Sequence, residues 1–369
     1  MASDAELEAL FSALRRAPDV EARELRAWDA ADRYLLDTAA PLLQGSTVAV
    51  VDDTHGALAL GARTLGAERV RVHQDSLLAE RAFVANAART GTVDAEHASL
   101  DDVAVNAALV LLRLPRSLDR LDDVARSLAA RMAPNAVLIA GNMLKHMTPA
   151  QNEVLGASFE RVDVSLARGK ARLLTARGPR LVEPRPPESM SDAELGLTVV
   201  AVPGVFAGAS IDIGTRTLLQ SFDDLPPFET AIDLACGSGV IASVLARRAP
   251  HARVIASDVS RIAVRSAALT AEANGVTVET VRDDGLSQQP DASADLVVLN
   301  PPFHVGAAVH TGIAHRLFSE AARVLKPGGE LRVVWNTHLA YRPALERIVG
   351  PTAQRARTAK FTVTVSRRR

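Results

Sequence analysis

Cysteine is almost absent: Cys236 stands alone in 369 residues. A disulfide framework and a cysteine-based zinc site are excluded, and a reducing compartment fits. No apolar run reaches the roughly 18–20 residues that a membrane-spanning helix needs. The opening MASDAELEALFSALRR lacks an apolar core and a cleavage site, so no signal peptide is expected and the default address is the cytoplasm. The nine histidines, His304, His310 and His315 among them, show no HExxH or Cys/His spacing, and no metal site is expected. What is present, 48% hydrophobic and 23% charged residues, is the composition of a globular chain. Its length favours two domains over one core.

Net charge is only −1, yet it is unevenly spread. Residues 1–200 carry 23 basic against 28 acidic side chains, and residues 201–369 carry 19 against 15. Residues 342–369 hold eight basic side chains against Glu346 alone, a surplus of seven. Phosphate contact is local, so a basic end suffices to meet a nucleic acid. A solvated tail that aids solubility explains the same surplus equally well.

In the second half, strands alternate with helices, the pattern of a parallel sheet wrapped on both faces. Strands are expected at 230–235 (TAIDLA), 252–257, 276–281, 294–299 (ADLVVL), 330–335 (ELRVVW) and 360–366. Helices are expected at 240–248, 260–274, 314–325 and 342–349. The first half repeats the order: VAVVDDTHGALAL parallels AIDLACGSGVIASVL, AERVRVHQDS parallels HARVIASDVS, and AALVLLRLPRS parallels ADLVVLNPPFH. Such self-similarity points to an internal duplication. The first copy has lost the chemistry, its glycine turn having become DDTHG and its NPPF having become RLPR. The fold class is therefore α/β, two tandem doubly wound, Rossmann-like domains with the N-terminal one degenerate. Boundaries fall at 1–180 and 203–369, with Pro-rich residues 181–202 read as a linker.

Two motifs carry chemistry. The first is Asp233-Leu-Ala-Cys236-Gly237-Ser238-Gly239, at a strand-to-helix turn where glycines let the backbone approach a ligand. Asp258 ends the next strand, 19 residues after Gly239, where an acid in a doubly wound sheet accepts from a ribose diol. A missing third glycine suits a cofactor without phosphates, S-adenosylmethionine (SAM). Asp284, after the third strand, is placed to reach the adenine amine. Cys236 has no His/Asp partner and is not a catalytic thiol. The stretch 203–215, with Phe206 and Asp212, reads either as a loop folded over the cofactor or as a packed linker. The second motif is Asn300-Pro301-Pro302-Phe303, at the carboxyl end of a central strand. A conjugated amine must pyramidalise to attack a methyl group. The Asn300 side-chain oxygen and the Pro301 carbonyl can favour this by accepting its two N–H bonds, with the prolines fixing the corner. Phe303 offers a face for a planar base.

From Pro203 onward these residues resemble the bacterial ribosomal RNA guanine-N2 methyltransferases. The likeness is carried by DLACGSGVI, SDVS, NPPFH and KPGGELRVVWNTHL. LRAWDAAD near the start, GKARL before the linker, and NTHLAY make the chain look closer to the large-subunit (23S) member than to the small-subunit (16S) one. The resemblance implies two tandem copies of one fold, of which the N-terminal copy has lost cofactor binding and helps engage RNA. It further implies that Asp258 and Asp284 hold SAM, and that Asn300 to Phe303 hold the guanine amine. Asp284 departs from the asparagine common in relatives, and the Arg-rich end is not part of the family pattern.

The expected function is in-line, metal-free methyl transfer from SAM to the N2 amine of a guanine in ribosomal RNA or an assembling subunit. The target base must be unpaired or flipped. Cofactor contacts are expected from Asp233, Cys236, Gly237, Gly239, Asp258, Asp284 and Asn300. Two rivals stay open: an adenine-N6 or protein-glutamine methyltransferase with the same Asn-Pro-Pro corner, and a non-catalytic RNA-binding assembly factor. The Phe303-His304 ending and the degenerate first copy weigh against the former, and the intact DLACGSG, Asp258 and NPPF against the latter.

Overall fold

The computed structural model describes residues 4–22, 24–92, 95–302 and 307–369, with the side chains of 307–311 outside the description. The chain divides into two units, Met1–Arg185 and Pro186–Arg369. In the first, strands β1 (Thr47–Val51), β2 (Arg69–His73), β3 (Ala95–His97), β4 (Leu109–Arg113), β5 (Val137–Met143), β6 (Phe159–Val164) and β7 (Ala171–Pro179) form one sheet in the order β3-β2-β1-β4-β5-β7-β6. The second unit begins with a two-stranded hairpin, β8 (Glu188–Asp192) and β9 (Leu197–Ala201). Its main sheet comprises β10 (Thr230–Leu234), β11 (Arg253–Asp258), β12 (Glu279–Arg282), β13 (Ala294–Leu299), β14 (Leu325–Asn336), β15 (Thr352–Arg357) and β16 (Phe361–Arg367). The order is β12-β11-β10-β13-β14-β16-β15. Position for position, the two sheets have the same strand order.

The central strands are apolar because both faces are covered. Ala231, Val254, Ala256, Leu296 and Val298 belong to one buried cluster, which takes in the helix Val240–Arg248. Their immediate neighbours Ile232, Ile255, Val297 and Leu299 belong to another, with Leu317 and Phe318 of the helix Ala307–Val324. Alternate residues of one strand thus feed opposite cores, as a period of two in a doubly wound sheet demands. Each large aliphatic side chain so buried contributes about 1.5–3 kcal/mol.

Residues 181–202 are not linker throughout. The hairpin packs on the helix Arg261–Ala273: Thr270 Oγ1 accepts from Val200 N at 3.0 Å, Ser266 Oγ accepts from Val202 N at 2.9 Å, and Asn274 Oδ1 accepts from Thr198 N at 2.9 Å. Side chains of the helix and the residue after it satisfy the outer edge of β9 where no further strand is present, while Leu197 and Val199 are buried. The prolines masked this signal because they cluster just before it. The basic C-terminal end is likewise no tail. It forms β15 and β16, with Arg355 ion-paired to Asp224 at 3.3 Å and Arg368 donating to the Leu325 carbonyl. The exposed cations on β15 blunt a sheet edge against unwanted pairing.

Gly239 opens the helix Val240–Arg248 at φ 76°. A Cβ there would stand 2.6 Å from the Ala267 Cα, a backbone atom of the packed helix Arg261–Ala273. Gly239→Ala should therefore destabilise the unit by about 2–3 kcal/mol, read as a lowered urea midpoint. An unchanged midpoint would mean that this helix simply moves aside.

Candidate functional site

All the parallel strands of the second unit end on one side of the sheet, and the candidate residues sit at those ends. After β10 the chain turns sharply through Ala235, which holds φ 59°, and Gly237 at φ 52°. A Cβ at Gly237 would meet nothing within 4 Å, so that position faces open space. Asp258, at the end of β11, accepts from Gly237 N at 3.1 Å and from Ser260 N at 2.9 Å. The second acid is thereby tied to the turn.

Asn300 follows β13 and lines the same cleft as Cys236 and Gly237. Its Nδ2 donates to Thr215 Oγ1 at 3.0 Å and to Asp212 Oδ2 at 3.3 Å. Its Oδ1 is buried and, among the described residues, has no hydrogen-bond partner. A buried amide oxygen left without a donor is costly and rare, so it is an acceptor held ready. Asp212 is the N-cap of the helix Ile213–Leu219, accepting from Gly214 N at 2.8 Å and Thr215 N at 3.3 Å. Residues 203–212 come over the cleft, with Phe206, Ser210 and Ile211 in its wall. Val205 and Ala209 anchor that loop in a small buried cluster with Ala201 and Ala263.

The remaining sequence candidates fall elsewhere. Asp233 is fully buried beneath the turn, accepting from Ala242 N at 3.0 Å, and supports the cleft without lining it. Gly239 likewise serves packing. Asp284 pairs with Arg316 and shares a separate depression with Ser287, Glu320 and Arg323. Asp283, also buried, holds its own turn by accepting from Asp284 N and Gln288 N. Pro301 is buried and Pro302 exposed. Phe303 and His304 lie outside the described residues. Burial pushes the Cys236 thiol well above its ordinary range, and the carboxylates of Asp258 and Asp233 push it the same way. A thiol so held stays protonated and is no nucleophile. Thr215 and the capping role of Asp212 were not anticipated from sequence. An Asp directly ahead of a short helical stretch is the one signal that marked the latter.

The first unit builds the same corner from different residues. Val51 pairs with Leu112 in β1 and β4 as Leu234 pairs with Leu299 in β10 and β13. Arg113 therefore occupies the place of Asn300. Asp29 caps the helix Ala30–Leu43 as Asp212 caps its own, and the Arg113 guanidinium bonds both Asp29 oxygens at 2.9 Å and lies 3.1 Å from Asp32. Asp53 fills the turn, accepting from Gly56, Leu58 and Ala59 N–H groups. A guanidinium has five donors and no acceptor, so this corner cannot receive an amine.

Comparison with known proteins agrees with this division. Residues 196–365 match the family described as Methyltransferase small domain, and residues 3–180 match the RLMG N-terminal domain. The chain is 37% identical to the ribosomal RNA large subunit methyltransferase G of Streptomyces avermitilis, over 95% of each chain. The chain belongs to that methyltransferase G family. Family members from Pseudomonas putida and Shewanella amazonensis are 36% and 34% identical, with at least 94% of each chain covered. Among solved structures, the T. thermophilus 16S rRNA N2 G1207 methyltransferase RsmC, in complex with AdoMet and guanosine, aligns with a TM-score of 0.78. It covers 92% of both chains at 23% identity, a likeness of fold.

Burial raises the Asp233 carboxyl to about 7, opposed by the Ala242 N–H and aided by the charge of Asp258. The folded unit then binds this proton more tightly than the unfolded chain, whose carboxyl titrates near 3.8. The stabilisation it brings is full below that value and is lost as pH rises toward 7. Asp233→Asn, a neutral isostere, should gain stability relative to the parent as pH is raised from about 4 to about 7 in urea unfolding. A difference that does not change with pH would show that the carboxyl is not displaced.

Proposed function

We propose that the chain transfers a methyl group from SAM to the N2 amine of a guanine in large-subunit (23S) ribosomal RNA, as the names of its family relatives indicate. The observation that carries this reading is the buried, partnerless Oδ1 of Asn300 beside the glycine turn. SAM, when bound, supplies an electrophilic methyl on a positively charged sulfur. The lining suits a cation: the space before Gly237 is open, and the charged side chain in the cleft wall, among the described residues, is a carboxylate, Asp212. Acids around a ligand site favour a cation and disfavour a phosphate-bearing cofactor. Asp258 would accept from the ribose hydroxyls. Asp284, ion-paired to Arg316, is proposed to accept from the adenine amine as well, since a carboxylate can serve more than one donor.

Asn300 Oδ1 accepts one N–H of the guanine amine and the Pro301 carbonyl accepts the other. Both bonds draw the nitrogen lone pair out of conjugation and aim it into the cleft. Orientation of this kind replaces a strong base, since the proton is lost only after the nitrogen has become cationic. Phe303 is proposed to stack on the guanine, and the loop around Phe206 to exclude water. Residues 203–369 would be the catalytic part. Residues 1–180, whose corner is sealed by Arg113, would engage RNA without reacting. A base that must leave its stack is most accessible in an assembling subunit, which would place the protein in the cytoplasm. Among the described residues, no helix is long and apolar enough to cross a membrane.

Nucleoside mass mapping of ribosomal RNA from a strain lacking the gene should show one N2-methylguanosine missing from the large-subunit RNA. Loss of a methylated adenine instead would overturn the base assignment. Asn300→Ala should lower turnover by about 10²–10³-fold while leaving SAM affinity, read by calorimetry, unchanged. Undiminished turnover would remove the amide from the chemistry.

A further inference from the structure

We propose that Asp212 and Thr215 are positioning residues that decide which end of the Asn300 amide faces the cleft; this rests on the methyl-transfer reading of that cleft. An asparagine side chain has a donating and an accepting end of nearly equal size, and rotation by half a turn exchanges them. Only the accepting end can take an N–H from an amine. The two prolines, which carry no N–H, do not make that choice by donating to the amide.

The residues behind Asn300 do. Asp212 is committed by its cap, because Oδ1 accepts from the Gly214 and Thr215 N–H groups. Thr215 Oγ1 spends its single proton on Asp212 Oδ2. The hydroxyl then has only lone pairs left for Asn300, and Asp212 Oδ2 is itself acceptor-only. Both partners of Asn300 are thus acceptors, at 3.0 Å and 3.3 Å. Nδ2 must turn toward them, and Oδ1 is left to the cleft, where it stands buried and unpaired. Thr215 is itself buried, so water is a poor substitute.

The first unit supplies an internal control. Its capping acid, Asp29, and the neighbouring Asp32 also receive donors from the strand-end residue, here Arg113. In both units the acid at the helix start gathers the donors of the residue after the central strand. With Arg113 nothing remains to accept an amine; with Asn300 one oxygen does. The two units differ in chemistry because the same anchor holds a different side chain.

The test measures labelled-methyl transfer by the full chain to total ribosomal RNA from a strain lacking the gene, with SAM affinity followed by calorimetry. Asp212→Asn keeps a good helix cap but turns an NH2 toward Asn300 in place of Oδ2. Thr215→Val keeps the shape and removes the hydroxyl. Each should lower kcat about 10–100-fold, with KM for RNA, SAM affinity and melting temperature unchanged. Thr215→Ser, which restores the hydroxyl, should recover most of the turnover. Wild-type kcat in both variants, a loss confined to KM, or a serine variant as slow as the valine one would overturn the inference. Should Asp212→Asn fail to fold, Thr215→Val decides alone, since the Gly214 and Thr215 N–H groups still cap on Asp212 Oδ1 in that variant. Asn300→Ala separates the two levels. If it is inactive while Asp212→Asn and Thr215→Val are normal, only the positioning role falls; if it is fully active, the reading of the cleft falls with it.

Discussion

A buried amide oxygen with no donor among the described residues is the constraint on which the candidate site depends. Leaving a polar group unpaired in the interior costs on the order of 1–3 kcal/mol. Asn300 Oδ1 is kept in that state by fixing everything around it. Its other end is bound by Thr215 and Asp212, its backbone is held between β13 and two prolines, and the strand is buried on both faces. On the proposed reading this rigidity has a chemical purpose, because an acceptor that is to aim a nitrogen lone pair at a methyl cannot wander by much.

The glycine turn and the two acids behind it would, on the same reading, serve the other reactant. Gly237 leaves open the space a ligand needs, Asp258 holds the Gly237 amide, and Asp233 lies under the turn as a buried carboxyl. These are separate duties on one loop. At Gly239 it is packing that forbids a side chain, which would collide with the helix behind. A run of small residues that looks like one motif is thus two constraints side by side, one for ligand access and one for helix packing.

Duplication makes the relation between fold and chemistry unusually plain. The two sheets share strand order and the register of their central strands. Both place an aspartate cap at the start of the helix before the first strand. What separates the two corners is a handful of side chains: Arg113 for Asn300, Asp32 for Thr215, and Asp53 closing the turn. The scaffold sets where a strand-end side chain lies; only its hydrogen-bonding capacity decides what it can do.

Much of this was legible in sequence. Alternation in ADLVVL and TAIDLA, the helical spacing of VIASVLARR and the parallel between the two halves specified a doubly wound pair, because burial on both faces demands unbroken apolar runs. Local turn chemistry marked Gly237, Asp258 and Asn300, since each acts at a strand end that the pattern locates. The hairpin after the prolines was masked by them, while the incorporation of the basic end into the sheet and the pairing of Asp284 with Arg316 were not legible because they depend on partners distant in the chain. The same is true of Asp212 and Thr215. They lie more than eighty residues from Asn300, and a hydrogen bond across that distance exists only once the sheet has brought the strand end to the helix start. Sequence determined which chemical groups were available; the tertiary fold decided which end of one amide is left free to use them.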